Sequence, residues 1–283
     1  NNLKNFPKTF TRLQNLREIS IQENQFVALP PELGTISTLV TLNFDHAILR
    51  NPPPEIVDRG LEVILHFLRK LYDSRQTGEV DLKGLDMENL VAGEVWTTQI
   101  ITSNVTKLNF KNNRLNQWPV FMCERISTNI KSLSLAGNKL RGLPIVFGNL
   151  AGLTKLNLSS NHLKALPASF SDLSKLSKLK LSNNEFNLLP PPVNELPALR
   201  TLIAFGNEFT SLPAQIANLS KLTFLDLSTN QLQTLPPEIG ALTALSDLRL
   251  SHNDLERLPP EVGGLEALTC LHITHNRLVS LPA

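Results

Sequence analysis

A fixed spacing between leucines constrains the fold of this chain more than any other feature of its sequence. From residue 153 onwards, one leucine recurs every 23 residues. A constant period of this length is typical of a solenoid, in which each copy is one structural unit that stacks on the next. The regular copies begin at Leu153, Leu176, Leu199, Leu222, Leu245 and Leu268.

Within one copy, the apolar residues follow the pattern LxxLxLxxNxLxxLPxxhxxLxx, where h is an apolar residue. In the copy that starts at Leu222, the alternating pair is Leu225 and Leu227. Such alternation predicts a short strand with one buried side, and strands of successive copies would pair in parallel about 4.8 Å apart. The polar residues between the leucines should then face solvent.

An asparagine and a proline recur at fixed positions in the regular copies. We expect each asparagine to bond backbone groups of neighbouring copies, because a buried amide must be satisfied. Proline lacks an N–H donor and favours an irregular or short helical return segment. Both residue types are therefore predicted to be structural. They are Asn138, Asn161, Asn184, Asn207, Asn230, Asn253 and Asn276, with Pro144, Pro167, Pro190, Pro213, Pro236, Pro259 and Pro282.

These copies resemble leucine-rich repeats, and their L-P-x-x-h segment is similar to that of the intracellular Ras-scaffold and plant Ras-group subfamily. The resemblance covers nearly the whole chain. It implies an α/β solenoid: a leucine-rich-repeat superhelix with a curved parallel sheet on the concave face and irregular or short-helical convex segments. It also implies a protein-binding role, with a small GTPase or a phosphatase as the candidate partner.

The repeat pattern breaks after the copy that begins at Leu39. Apolar residues between Val57 and Tyr72 then fall at helical spacing, which predicts an amphipathic helix. Residues 52–72 resemble a segment that closes the repeats before the GTPase domain of Roco-type proteins. No G-x-x-x-x-G-K-[ST] phosphate-binding motif follows, however, so the GTPase itself is absent from this stretch.

The helical segment divides the chain into three predicted parts. Packing over the core is its favoured role, and a docking surface or a hinge is the alternative. A degenerate repeat follows the helix, with Gly84 near its turn. The predicted parts of one continuous solenoid are N-terminal repeats at 1–52, a helical interruption with the degenerate repeat at 53–98, and C-terminal repeats at 99–283.

The sequence carries none of the local motifs of hydrolase, metal or dinucleotide chemistry. Nearly every residue already has a role in the repeat, so we expect no enzyme activity and no cofactor. One cluster near the C-terminal copies could supply zinc ligands, but a flat sheet lacks the closed geometry of a metal site, and exposed polar surface is favoured. The cluster consists of His252, Cys270, His272 and His275.

Composition bears on the partner and the compartment. The chain has 27 basic and 25 acidic residues, so no global field favours nucleic acid or an anionic membrane. No apolar run reaches the roughly 18 residues of a membrane span, and no signal peptide is evident. Only Cys123 and Cys270 are present, which favours a reducing, cytoplasmic setting. The absence of a starting methionine indicates a segment of a longer protein.

Glycosylation motifs leave a secreted or cell-surface location open as the alternative. They begin at Asn104, Asn157 and Asn218, and they would be modified only in a secretory compartment. We interpret them as incidental, because repeats rich in asparagine, leucine and serine produce such triplets easily.

The variable strand positions carry the information about a partner. A basic stretch on the middle copies is followed by exposed apolar residues and then by a mixed, more acidic end. An acidic partner and an aromatic anchor would fit this face. The alternatives are a solvated face for the charges and mutual packing for the two phenylalanines. The candidate residues are Lys131, Lys155, Lys178, Lys180, Arg200, Ile203, Phe205, Phe224, Asp226 and Arg249, with Lys107 in an earlier copy.

Three functions compete at this point. The leading hypothesis is a scaffold that binds a partner protein on the concave face. The second is a recognition or regulatory arm of a larger enzyme, such as a kinase or a Roco-type GTPase, whose catalytic domain lies outside this segment. A secreted or surface receptor arm is the third.

Overall fold

The computed structural model describes residues 1–4, 6–90, 105–126 and 129–282. It divides into two compact units: unit 1 covers Asn1–Arg114, and unit 2 covers Leu115–Ala283. Within each unit, the strands are three residues long and their pairing is parallel. None of the helices in these ranges has the length and apolar character that a membrane crossing requires.

Unit 1 contains two parallel strand pairs and the helical segment. Strands β1 and β2 pair with each other, and β3 pairs with β4. The strands are β1 (Glu18–Ser20), β2 (Thr41–Asn43), β3 (Glu79–Asp81) and β4 (Lys107–Asn109). The helices are α1 (Pro54–Val57) and α2 (Leu61–Thr77), with 3-10 helices at Lys8–Arg12 and Pro31–Thr35.

The helix predicted between Val57 and Tyr72 is present, but it is split and ends later. Gly60, with φ +89°, separates α1 from α2, and Gly78, with φ +65°, closes α2 in the left-handed conformation that glycine adopts without strain. The buried face of α2 includes Phe67, which is fully buried. The helix therefore covers core within unit 1.

Helix α2 also packs closely on the 3-10 helix at Pro31–Thr35. A β-carbon on Gly34 would lie 2.2 Å from the backbone nitrogen of Arg69, so only glycine fits at this crossing. An ion pair between Arg75 and Glu32 spans the same two elements.

Unit 2 stacks seven strands in chain order, each paired in parallel with the next. They are β5 (Ser132–Ser134), β6 (Lys155–Asn157), β7 (Lys178–Lys180), β8 (Thr201–Ile203), β9 (Phe224–Asp226), β10 (Asp247–Arg249) and β11 (Cys270–His272). The return segments are helix α3 (Val120–Arg125) and 3-10 helices at Phe147–Asn149, Ala168–Asp172, Pro191–Glu195, Ala214–Asn218, Pro237–Ala241 and Pro260–Gly264.

The core of unit 2 lies between the sheet and the return segments. The middle residue of each strand from β5 to β10 is a buried leucine, and the leucine of β11 is exposed. Each 3-10 helix from Ala168 onwards follows a proline, which has no N–H to leave unsatisfied at the turn. Pro167, Pro213, Pro236 and Pro259 are in extended conformation.

The buried asparagines form the predicted ladder. In Asn230, Nδ2 donates to the carbonyls of Ala204 and Leu227 at 3.2 and 2.9 Å, and Oδ1 accepts the N–H of Phe209 at 3.1 Å. One side chain thus ties two repeats together. Asn138, Asn161, Asn184, Asn207 and Asn253 are buried in the same way.

A residue with positive φ directly precedes each asparagine of the ladder in unit 2. The left-handed conformation turns the chain out of the strand and into the return segment, and it suits glycine and asparagine best. The values of φ lie between +53° and +67° at Gly137, Ser160, Asn183, Gly206, Thr229, His252 and His275.

Candidate functional site

The candidate site is the sheet face of unit 2, which the first and last residues of each strand form. Their side chains are part-exposed or exposed on either side of the central leucine. The first-residue row runs Ser132, Lys155, Lys178, Thr201, Phe224, Asp247 and Cys270. The last-residue row runs Ser134, Asn157, Lys180, Ile203, Asp226, Arg249 and His272.

Three of the predicted lysines lie together. Lys155 and Lys178 are register partners on β6 and β7, and Lys180 follows on β7. With Ser132 and Ser134 they line a shallow depression of about 260 Å³, which we call the lysine depression. Among the described ion pairs, none involves these three ammonium groups, so their charge is available to an acidic partner.

Lys131 and Arg200 lie one residue before their strands, at one side of the sheet face. The carbonyl of Lys131 accepts the N–H groups of Thr154 and Lys155 at 2.8 and 3.0 Å, and the hydroxyl of Thr154 donates to it at 3.0 Å. Arg200 occupies the same place in its repeat, where its carbonyl accepts the hydroxyl of Thr223. Both residues therefore border the strands and do not belong to the two strand rows.

The apolar candidates lie next to the lysine depression. Ile203 sits between Lys180 and Asp226 in the last-residue row, and Phe224 follows Thr201 in the first-residue row. Phe205 lies two residues beyond β8, and 37% of its surface is exposed. We call Ile203, Phe205 and Phe224 the aromatic patch.

Arg249 covers part of the aromatic patch. Its guanidinium carbon lies 4.8 Å from the centroid of the Phe224 ring, close enough for a cation–π contact. Nε and Nη2 donate to the two carboxylate oxygens of Asp247 at 3.0 and 2.9 Å, and this fork raises the pKa of Arg249. Phe224 thus packs on Arg249, and the described ring contacts do not pair it with Phe205.

The acidic members of the face are engaged locally. Asp226 accepts the N–H of Ser228 at 3.0 Å, and Asp247 holds Arg249. The sequence places Asp247 at the mixed, more acidic end of the face, but it did not lead us to expect the fork to Arg249. An acid two residues before an arginine on one strand is the signal that could have identified this fork, because both side chains point to the same face.

The histidines of the last rungs stack on each other. The rings of His252 and His275 are 4.1 Å apart between centroids, with an angle of 12° between their planes. Both residues occupy the left-handed turn position, which sets the rings one above the other. In the described ranges, no cluster of three or more histidine, cysteine or acidic side chains could hold a metal ion.

A second polar cluster, not foreseen from the sequence, lies just beyond the asparagine ladder. Nδ1 of His162 lies 2.9 Å from Oε1 of Glu185, and Nζ of Lys164 lies 3.5 Å from Oε2. The bond from His162 is the main cause that lowers the pKa of Glu185, with Lys164 adding to it. Arg141 lines the same depression of about 370 Å³.

Comparison with known families identifies the repeats. A model of the "Leucine-rich repeat region" matches residues 213–283, and a model of the "Leucine rich repeat" matches residues 128–186. Together with the strand stack, these matches confirm the predicted α/β solenoid. The chain is a leucine-rich-repeat protein.

A relative that matches part of this chain is a much larger protein. A probable serine/threonine-protein kinase, pats1 of Dictyostelium discoideum, is 43% identical over 53 residues, which are 19% of this chain and 2% of that protein. The local match therefore covers a small part of both chains.

Solved structures share the fold along nearly the whole chain. The ectodomain of the Arabidopsis thaliana receptor kinase GASSHO1/SCHENGEN3, in complex with CASPARIAN STRIP INTEGRITY FACTOR 2, is 25% identical with a TM-score of 0.63. The alignment covers 98% of this chain and 34% of the receptor. The Toll–Spatzle complex of Drosophila, at 23% identity and a TM-score of 0.68, aligns with 96% of this chain and 35% of the matched one.

Proposed function

We propose that this chain is a protein-interaction scaffold that binds a partner protein on the sheet face of unit 2. The arrangement of leucine-rich repeats supports a binding role, because stacked repeats present their variable strand positions on one extended surface. The structurally similar ectodomain of GASSHO1/SCHENGEN3 is itself a ligand complex. Catalysis is no part of this proposal, since the described residues are taken up by the repeat.

The observation that carries the proposal is the contact between two kinds of surface. The lysine depression directly adjoins the aromatic patch, since Lys180 and Ile203 are register partners on β7 and β8. A partner segment with acidic residues followed by an apolar side chain would match this order. Exposed aromatic residues bordered by charge are typical of interface hot spots, where burial of the ring supplies most of the affinity.

Arg249 would contribute by orienting Phe224. The fork to Asp247 and the ring contact hold its side chain in place, so less rotamer entropy is lost on binding. The Arg249 side chain remains 41% exposed, and its guanidinium can donate further hydrogen bonds. Lys131 and Arg200 would add charge at the side of the same surface.

Affinity capture with matched variants tests the face. We expect the double variant Phe205→Ala, Phe224→Ala to bind the partner with an affinity about 30-fold lower or more than that of the intact chain. Loss of an interface hot spot has an effect of this size. Ile145→Ala is the control, because Ile145 is 82% exposed outside the strand rows. A folded double variant with full affinity would remove the aromatic patch from the site.

A charge series separates the lysine depression from the aromatic patch. Lys155→Ser with Lys178→Ser should lower the association rate and flatten its dependence on ionic strength, since exposed charges steer encounter. Lys175→Ser with Lys221→Ser removes the same two charges from exposed residues outside the strands and should leave the rate unchanged. Equal effects of both changes would argue against an acidic partner at the depression.

The partner that we propose is a signalling protein. Resemblance to the Ras-scaffold subfamily supports a small GTPase or a phosphatase in a signalling role. Direct titration of purified candidates against the intact chain and the aromatic double variant tests each of them. A candidate whose affinity is the same for both proteins is not bound at this face.

A recognition arm of a larger enzyme is the second candidate function. The local match to the probable kinase pats1 and the Roco-like segment at 52–72 favour it. The helical interruption at 53–98 would then be a structural division between repeats at 1–52 and 99–283. The full-length reading frame decides this: flanks with a catalytic domain support the arm, and flanks without one refute it.

A cytoplasmic location belongs to the same proposal. Cys123 and Cys270 both carry free thiols, and burial raises the pKa of the Cys123 thiol to about 12. The receptor-like alternative predicts glycan on Asn218, which is exposed, whereas Asn104 lies outside the described residues. Mass spectrometry of protein from its native cell distinguishes the two: glycan at Asn218 would contradict the cytoplasmic location.

A further inference from the structure

A groove lies away from the sheet face, between two neighbouring return segments of unit 2. Its walls come from the 3-10 helices at Pro191–Glu195 and Ala214–Asn218, and its volume is about 470 Å³. This size is sufficient for a few residues of an extended peptide. We call it the Asn194 groove.

Asn194 is an exception among the return segments. The fourth residue of these five-residue 3-10 helices is Ser171, Ala217, Gly240 or Gly263 in the other copies. At Gly240, a β-carbon would lie 2.3 Å from the carbonyl oxygen of Glu261, so the chain there leaves no room for a side chain. The Asn194 position therefore needs space that the same position in a later repeat lacks.

The amide of Asn194 is buried without a complete set of partners. The residue is 2% exposed, and its Oδ1 accepts no hydrogen bond within the described part of the chain. Because an unsatisfied buried acceptor destabilises the folded chain, a ligand donor that reaches Oδ1 gains affinity from the bond. Asn194 is among the residues that line the groove, so its amide adjoins the space that a ligand would occupy.

Leu188 gives the groove an apolar rim. It is 51% exposed, whereas the same repeat position holds Gly142, Ala165, Ser211, Thr234 or Arg257 in the other copies. Pro191 and Pro213 extend the apolar wall. An exposed leucine beside two prolines can bury an aliphatic side chain of a ligand.

Charge at the groove selects the kind of ligand. Glu195 is the one charged residue among the described residues that line it, and the described ion pairs do not include it. The equivalent groove between later repeats has a volume of about 460 Å³. Its lining includes a base as well as an acid, Arg257 and Glu261, so it does not present a lone negative charge.

We propose that the Asn194 groove binds a short extended peptide segment of a partner protein, one that carries an aliphatic residue next to a lysine or arginine. The aliphatic side chain packs on Leu188 and Pro213, the cation pairs with Glu195, and a backbone N–H of the peptide donates to Oδ1 of Asn194. This second docking surface is separate from the sheet face and does not depend on it.

The test uses a defined probe, N-acetyl-leucyl-lysine methylamide, titrated into the isotopically labelled intact chain and followed by NMR. Saturable shifts of the Asn194 side-chain amide and the Leu188 methyl groups, at millimolar probe, are expected. The matching probe with glutamate in place of lysine should bind at least about fivefold more weakly, because it meets Glu195 as a like charge. Equal binding of both probes, or shifts of Thr234 instead, overturns the proposal.

Two variants separate ligand binding from a structural role. Asn194→Ala introduces the residue that the next repeat has at this position, Ala217. It should lower the affinity for the lysine probe about tenfold, the effect of one lost hydrogen bond. The stability of the chain should stay the same or rise, because a buried unsatisfied acceptor is removed. Leu188→Ser copies Ser211 and should also weaken binding, whereas Thr234→Ala should not. Lower stability of Asn194→Ala with unchanged probe affinity would assign the side chain to packing and refute the site. Phe224→Ala should leave probe binding intact, so this test is independent of the sheet face.

Discussion

Asn230 shows how one side chain can connect two neighbouring repeats. Its amide bonds the carbonyls of Ala204 and Leu227 and the N–H of Phe209, and these groups are buried. Without the amide, backbone donors and acceptors would remain unsatisfied in a region from which water is excluded.

Asn230→Ala should therefore lower the free energy of unfolding by about 3 kcal/mol, measured by urea denaturation. Asn187→Ala is the control, since Asn187 is exposed and should change stability by less than about 0.5 kcal/mol. Equal stability of both variants would contradict the structural role of the ladder.

The Glu185 carboxylate is tuned by its neighbours on the adjacent repeat. The hydrogen bond with His162 lowers the pKa of Glu185 and favours its charged form. Because the folded-state pKa is lowered, the contact helps stability above the unfolded pKa and is lost as the pH falls through the folded value.

His162→Ala should move the pKa of Glu185 back up towards that of an ordinary glutamate, as a ¹³C-detected NMR titration would show. Lys164→Ala should raise it by less, because the lysine contributes less to the shift. If the pKa of Glu185 is the same in His162→Ala as in the unchanged chain, the 2.9 Å contact is not formed in solution.

At the level of single residues, the repeat pattern predicted which side chains are buried and which asparagines form the ladder. It could not predict the contact of Arg249 with Phe224, because that contact depends on rotamers on two adjacent strands. Nor could it find the bond between His162 and Glu185. Contacts of this kind form between side chains of adjacent repeats and depend on their rotamers. The spacing of the leucines gives no information about those rotamers.

Among the elements, the return segments have the least tolerance for added volume. Gly240 approaches the Glu261 carbonyl so closely that a β-carbon would lie 2.3 Å away, whereas Gly263, at the same repeat position, has open space around it. Two glycines at equivalent positions thus differ only in what packs on them.

Gly240→Ala should destabilise the chain by about 1–3 kcal/mol, since backbone must shift to admit the methyl group. Gly263→Ala should be neutral or stabilise by up to about 1 kcal/mol, because it restricts the unfolded chain. Thermal unfolding of both variants measures the difference. Matching losses would mean that the close approach at Gly240 is not present in solution.

The elements were predicted with unequal success. Three-residue strands follow directly from the alternating leucines, as β9 around Leu225 shows. The helical segment was predicted, but its division at Gly60 was not, because apolar spacing alone does not show a glycine at φ +89°. The repeat pattern does not distinguish Asn194 from the residues at the same position in other copies, and its unpartnered oxygen is visible only in the structure.

At the scale of the whole molecule, the stacking of repeats brings residues at the same repeat position together on one surface. Residues 23 positions apart in sequence, such as Lys155 and Lys178, become register partners on adjacent strands. The sequence could therefore predict which residues share the sheet face. The depression that gathers Lys155, Lys178 and Lys180 and the cover that Arg249 forms over Phe224 required the structure.

Site-specific photo-crosslinking tests the central claim, partner binding on the sheet face, most directly. A photoreactive phenylalanine analogue would replace Thr201, which is the register partner of Phe224, or Ile145 outside the strand rows. We expect that, in native extract, the Thr201 position forms an adduct with a specific protein and the Ile145 position does not. Excess unlabelled chain should compete with formation of this adduct. An adduct with that partner at Ile145 and none at Thr201 would contradict this claim.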